Sequence, residues 1–238
     1  MDTTVQGHDA LMDRVYRRQR YFYDFTRKYY LFGRDRLIAE LNLKSGARLI
    51  EVGCGTARNL IAIAKAYPSA KLYGLDASAE MLKTAARAIE KAGLSGRIKL
   101  VHGFAESLSP AMFGETEPFD DAIFSYSLSM IPDWRGALVA AEAALVPGGR
   151  VHIVDFGDLA GLGRVGNRLM RSWLAAFHVT PRDELLKSLE HAPAGRLRLL
   201  PGRYAFLLTK PAGRPLLTIV QPVAHGPQGS GKSAPRGP

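Results

Sequence analysis

The sequence predicts a doubly wound α/β fold: a mostly parallel seven-stranded sheet, closed by an antiparallel C-terminal hairpin and preceded by an N-terminal helical extension. Three observations predict it. From Ala47 onward, short apolar runs alternate with helical stretches, the pattern of parallel strands buried on both faces. The first of these runs ends in a glycine turn, Gly53-Cys54-Gly55, that opens a helical stretch. Near the end, Arg196–Leu200 and Arg203–Leu208 flank Pro201-Gly202, a hairpin signal.

Taken in order, residues 8–34 lack proline and hold one late glycine, so they are expected to form one long helix. Leu11, Val15, Phe22, Phe25, Tyr29 and Phe32 recur at helical spacing as an apolar face. Tyr16, Arg20, Tyr23, Arg27, Tyr30 and Arg34 form a second, adjacent stripe. Strands are expected at Ala47–Val52, Lys71–Leu75, Ile98–Val101, Phe119–Phe124 and Gly149–Asp155. Helices fit between them, near 57–67, 78–93 and 134–145. A helix or lid carrying Arg164, Arg168, Arg171 and Trp173 is expected before the hairpin. The expected units are therefore an extension over 1–44, a ligand-binding domain over 45–210 and a disordered tail over 211–238. That tail is rich in proline, glycine, serine and basic residues.

Composition narrows the function classes. Apolar residues make up 47% of the 238, enough to bury a full core. The one cysteine, Cys54, excludes an internal disulfide and a zinc–cysteine cluster, and the histidines show no metal-ligand spacing. No run of 18 apolar residues is present, and no signal-peptide core is visible. The expectation is a cytoplasmic protein that touches the membrane face reversibly. The formal charge of +10 is uneven: residues 14–36 hold eight basic residues against Asp24 and Asp35. A local anionic contact surface is expected there.

The segment LIEVGCGTARNL carries the chemistry. Gly53 permits a tight turn, and Gly55 lets the backbone approach a ligand with no Cβ in the way. A dinucleotide site needs a small third residue for close strand–helix packing, and Arg58 stands there instead. Glu51 at the strand end suits an amine-bearing ligand rather than a pyrophosphate. Asp76 ends the next strand, where an acid accepts ribose hydroxyls. S-adenosylmethionine (SAM) carries an amine, a sulfonium and a ribose, and satisfies both acids. Cys54 reads as a small filler, and His102 and His152 as hydrogen-bonded structural residues.

IEVGCGT, LYGLDAS, GFAESL, FDDAIFSYSLSMIPDW and LVPGGRVHIVDF together resemble, in order and spacing, the motifs of class I methyltransferases, over roughly residues 45–156. The resemblance implies a Rossmann-like domain that binds SAM, releases S-adenosylhomocysteine and needs no metal. It implies Glu51, Gly53 and Gly55 around the methionine part, Asp76 at the ribose, and Phe104, Ala105 and Glu106 at the adenine. Family members often carry an acid where Phe104 sits. Stacking by Phe104, with Glu106 or a backbone carbonyl serving the amine, is the expectation here. Arg34, Cys54, Asn59, Ala77, Met81 and Ser125 complete the expected cofactor contacts. For Asn59, reaching the cofactor amine and capping helix amides stay open as alternatives.

The acceptor is read from what surrounds the domain. Methylating a neutral amine needs positioning more than acid–base chemistry, and aromatic faces stabilise the cation that forms. After the fourth strand stand Ser125, Tyr126 and Ser127 rather than the Asn/Asp-Pro-Pro-Tyr motif associated with base exocyclic amines. HDALMDRVYRRQRYFYDFTRKYYLFGRDRLI resembles the opening of bacterial betaine-lipid methyltransferases. That resemblance implies stepwise N-methylation of diacylglyceryl homoserine. Tyr23 and Tyr126 are the expected catalytic side chains, and Tyr16 and Tyr30 are expected to hold substrate. The implied partner is a lipid at an anionic membrane surface, with no stable nucleic-acid complex. Phosphatidylethanolamine methylation, an RNA or small-molecule acceptor, and a non-catalytic SAM-binding role remain as alternatives. Oligomeric state is left open.

Overall fold

The computed structural model describes residues 31–191 and 195–213. Its centre is one seven-stranded sheet: β1 (Arg48–Val52), β2 (Lys71–Asp76), β3 (Ile98–His102), β4 (Phe119–Ser125), β5 (Leu145–Phe156), β6 (Arg196–Leu199) and β7 (Ala205–Pro211). Their spatial order is β3-β2-β1-β4-β5-β7-β6. The first five run parallel, while β7 is antiparallel to both β5 and β6. The hairpin expected around Pro201-Gly202 is the edge of the sheet, and its second strand slots in beside β5. The order reverses between β1 and β4, so a crevice opens beyond the carboxyl ends of these strands, the usual ligand position in open α/β sheets.

Six α-helices cover the sheet among the described residues: α1 (Arg34–Ala39), α2 (Arg58–Ala66), α3 (Ala79–Lys91), α4 (Trp134–Ala143), α5 (Gly163–Ala175) and α6 (Asp183–His191). Alternation along each strand divides the apolar residues between two cores. Ile50, Val52, Phe124 and Ile153 face one layer with Trp134 and Leu138 of α4 and Leu185 and Leu189 of α6. Leu49, Leu72, Ile123 and Val154 face the other with Leu37, Leu60, Ile63, Ile89 and Leu174, from α1, α2, α3 and α5. The central strands are covered on both faces, which is why they read as largely apolar runs.

Three expectations need correction. The helical run expected over 8–34 does not continue unbroken to residue 34. Phe32 and Gly33 form a turn, and α1 starts afresh at Arg34. Gly33, which precedes the first residue of α1, has φ of +89°, a left-handed conformation that a continuous right-handed helix does not contain, and a Cβ there would press on Leu200, Leu207 and Val154 at 3.0–3.3 Å. Phe32, expected on the core face, is 58% exposed. The fifth strand begins at Leu145 rather than Gly149, because Val146–Gly149 loop out between the pairs Phe119–Leu145 and Asp121–Arg150. Residues 1–30, with Tyr16, Tyr23 and Tyr30, and the tail from 214 lie outside the described residues.

Candidate active site

The glycine loop leaves β1 at Val52 and is bound by its neighbours. The amides of Gly53 and Cys54 donate to the Leu75 carbonyl at 2.8 and 3.0 Å, which ties the loop to β2. Gly53 (φ +75°) has a second reason to be glycine: a Cβ there would lie 2.6 Å from Cβ of Ser127. Gly55 (φ +52°) directs its amide to Asp76 Oδ2 at 2.7 Å. Asp76 Oδ1 accepts the Ser78 amide at 2.9 Å. Asp76 thus spans the glycine loop and the start of α3, where Ser78 caps the amide of Met81 at 3.3 Å.

Glu51 is 1% exposed near the end of β1. Asn59, in the first turn of α2, neither caps the helix nor faces solvent. Its Nδ2 donates to Glu51 Oε1 at 2.7 Å. A buried carboxylate is costly unless hydrogen-bonded, and this contact offsets part of that cost. Cys54 is buried, and that burial pushes its thiol well up, with Asp76 and Glu51 adding to the rise, so the thiol stays protonated. Its role as filler is visible at Gly74, where a Cβ would meet Leu60, Leu100 and Cys54 at 2.8–2.9 Å.

On the adenine side, Phe104 is half-buried and precedes a single 3-10 turn, Ala105–Ser107, with Ala105 buried and Glu106 exposed. His102 places Nε2 2.9 Å from the Ala77 carbonyl, joining the ends of β2 and β3. His152 is a core residue, bridging Thr209 and Asp121 at 3.0 and 2.9 Å.

The loop after β4 forms the opposite lip. Tyr126 is 2% exposed and takes φ of +56°, a strained position for a tyrosine. Its hydroxyl donates to the Phe32 carbonyl, so it pins the chain entering α1. Its ring packs on Phe156 at 4.8 Å, Phe156 on Tyr204 at 5.7 Å, and Tyr204 on Phe32 at 5.7 Å. Arg34 is buried behind this row, its Nε 3.3 Å from the Leu31 carbonyl. Burial pushes the Tyr126 phenol well above its usual range.

Asp155 is 2% exposed near the end of β5. It accepts the Ser129 amide at 3.0 Å and the Phe156 amide at 2.7 Å. Burial nonetheless raises its carboxyl to about 6, against the hydrogen bonds from Ser129 and Phe156. Arg182, which no sequence pattern singles out, locks this lip by donating to the carbonyls of Leu128 and Ile131 at 2.9 and 2.7 Å.

The residues present fit the cofactor the sequence suggests. Asn59 Oδ1 and the hydroxyls of Ser125 and Ser127 are buried with no hydrogen-bond partner among the described residues. These orphaned groups stand at the glycine loop and its facing lip, which suits a ligand carrying an amine and a carboxylate. Residues 49–149 match the model of the methyltransferase domain family. The ubiquinone/menaquinone biosynthesis C-methyltransferase UbiE of Syntrophotalea carbinolica is 32% identical over 188 residues, which cover 74% of this chain and 71% of that protein. The chain belongs to the class I SAM-dependent methyltransferases.

The demethylmenaquinone methyltransferase of Bacillus subtilis is 36% identical over 128 residues, and the aligned part spans only about half of each chain (51% and 51%). Among solved structures, a SAM-dependent methyltransferase from Aquifex aeolicus superposes with a TM-score of 0.57 at 18% identity, covering 78% of this chain and 93% of that one. The apo methyltransferase SibL gives 0.60 at 23% identity, covering 81% and 58%. These superpositions speak for the fold. Both of these curated relatives carry quinone-methyltransferase names and neither is named a betaine-lipid enzyme, so the family is established at the level of the SAM-dependent methyltransferase.

Proposed function

We propose that this methyltransferase N-methylates the amine of a lipid headgroup, with diacylglyceryl homoserine as acceptor. The observation that carries the proposal is the row of aromatic rings Phe32–Tyr204–Phe156–Tyr126 beside the buried carboxyl of Asp155. An amine becomes cationic as it gains a methyl group, and aromatic faces with a nearby carboxylate stabilise that charge. Bound SAM supplies the methyl group as an electrophile on sulfur. Glu51, Asn59, Ser125 and Ser127 would hold its methionine part, Asp76 its ribose, and Phe104 with Ala105 its adenine. Met81 and Ala77 close the ribose side. At neutral pH Asp155 is mostly ionised, which favours a cationic product over a neutral one. The Arg182 brace and the Tyr126–Phe32 contact keep the lip and the entering chain fixed, so that positioning supplies much of the rate.

A second reading has its own support. The relatives are named as a ubiquinone/menaquinone biosynthesis C-methyltransferase and a demethylmenaquinone methyltransferase, which makes a carbon acceptor the second reading. Incubating the protein with methyl-labelled SAM and, separately, diacylglyceryl homoserine, phosphatidylethanolamine, a demethylmenaquinol and tRNA separates these acceptors. Label in diacylglyceryl homoserine is the expected result. Label in the demethylmenaquinol alone sinks the amine reading in favour of the carbon-acceptor one.

A further inference from the structure

Five large apolar side chains are exposed among the described residues, and three of them, Leu162, Val165 and Leu169, sit together on α5 and the turn leading into it. Val165 is 74% exposed and Leu169 67%. Spacings of three and four residues put them on one face of the helix. Arg164 and Arg168, four apart, run beside this stripe and are also exposed. Neither has an ion-pair partner among the described residues.

The charge around the stripe is one-sided. From Leu159 to Arg182 the chain holds four arginines and no acid. Arg171 and Arg182 are used internally: Arg171 binds the Asp158 carbonyl and the Asp183 carboxylate, and Arg182 the loop after β4. Asn167 adds a bond to the Asp158 carbonyl at 2.8 Å. The helix is therefore held by its inner edge, and it presents outward an apolar stripe bordered by two uncompensated cations.

The stripe also has a position. Gly161 packs directly on Gly202, and Leu162 lies over Gly202. Tyr204, two residues on, stacks against the exposed ring of Phe32. The stripe thus continues the strand-end side of the molecule, where Tyr126, Asp155 and the glycine loop lie. An apolar protein partner accounts for the leucines and valine but leaves the two arginines without counter-charges. An anionic bilayer accounts for both, since apolar side chains enter the headgroup boundary while arginines pair with lipid phosphates.

We infer that the exposed face of α5 docks this methyltransferase on an anionic lipid bilayer, through Leu162, Val165 and Leu169 with Arg164 and Arg168. The inference rests on the lipid-acceptor reading for its purpose, because the docked face borders the site. Docking itself is measured without any acceptor.

The test uses the full chain and sedimentation with vesicles of phosphatidylcholine, with and without phosphatidylglycerol. Wild-type protein is expected to sediment with the anionic vesicles and to be released by salt. Arg164→Ser with Arg168→Ser should weaken that binding about fivefold per arginine, from the ~1 kcal/mol of each basic residue at such a surface. Val165→Ser with Leu169→Ser should weaken it on anionic vesicles too, with SAM affinity and circular dichroism unchanged. Unaltered vesicle binding in both variants overturns the inference. So does a wild-type dimer that becomes monomeric in the Val165/Leu169 variant, since a second copy then covers the stripe. Methyl transfer to a water-soluble short-chain acceptor is followed in parallel. Transfer retained without vesicle binding refutes the docking face alone, whereas vesicle binding with no transfer to any lipid amine refutes the acceptor reading alone.

Discussion

Asn59 Nδ2 donates to Glu51 Oε1 at 2.7 Å, and both side chains are buried. The contact joins the strand before the glycine loop to the helix after it, so it sets the span of the loop. Replacing Asn59 with leucine keeps the branched shape and removes a hydrogen bond to the buried Glu51 carboxyl. A loss of about 1.5–3 kcal/mol in urea unfolding is expected. SAM affinity, followed by calorimetric titration, should fall at least tenfold, because Asn59 Oδ1 is among the groups offered to the ligand. Wild-type SAM affinity in the leucine variant would show that the pair is structural only.

Gly53 and Ser127 make a tighter test of the loop. In Gly53→Ala the new methyl lies 2.6 Å from Cβ of Ser127, at a φ of +75°. Overpacking costs about 1–3 kcal/mol and the left-handed conformation about 1–2 more. Adding Ser127→Gly should recover the packing share and leave the conformational share. Equal stability of the single and double variants would mean that contact with Ser127 is not what excludes a side chain at Gly53.

These two pairs mark the limit of what the sequence makes legible. The strands could be read because burial on both faces makes them continuous apolar runs, and the hairpin because Pro201-Gly202 interrupts two of them. Glu51, Gly53, Gly55 and Asp76 were readable because backbone geometry and strand-end position restrict the residue type. Contacts across the sheet left no local trace. Nothing near Gly53 in the chain announces Ser127, and nothing near Tyr126 announces the carbonyl of Phe32, 94 residues away. Arg182 looks like any surface arginine until its two carbonyl partners are seen. The helical period through residue 34 was equally misleading, because tertiary packing around Gly33 overrides a periodic pattern.

Asp155 gives a pH prediction with a definite sign. Its folded value is about 6, above the ~3.9 of an unfolded aspartate. The native state therefore holds the extra proton between those values, and stability from this group is fully present below the lower one. It is lost as pH rises through the upper one, on the order of 3 kcal/mol in total. Urea unfolding of wild type and Asp155→Asn from pH 4 to 7.5 isolates the effect, since other groups cancel in the difference. The wild type should lose ground relative to the variant as pH rises. A difference that is flat with pH would place the Asp155 carboxyl in a more solvated setting than its burial indicates.

Tyr126 is expected from the sequence to be catalytic, and its surroundings define how that role is tested. The phenol is buried, its affinity for its proton is pushed well up by that burial, and its hydroxyl is engaged by the Phe32 carbonyl. A group in that state is poorly placed to exchange a proton near neutral pH. Its hydrogen bond instead fixes the turn that leads into α1 and buried Arg34. Tyr126→Phe keeps the ring contact with Phe156 and removes only this bond. A stability loss of about 1 kcal/mol is expected. A fall in kcat of no more than about tenfold should accompany it, with the pH profile unchanged. General acid–base participation would instead cost about 10²–10⁴ in rate and remove a limb of the profile. Finding that larger loss in a variant that unfolds at the wild-type urea concentration would return Tyr126 to the chemical step.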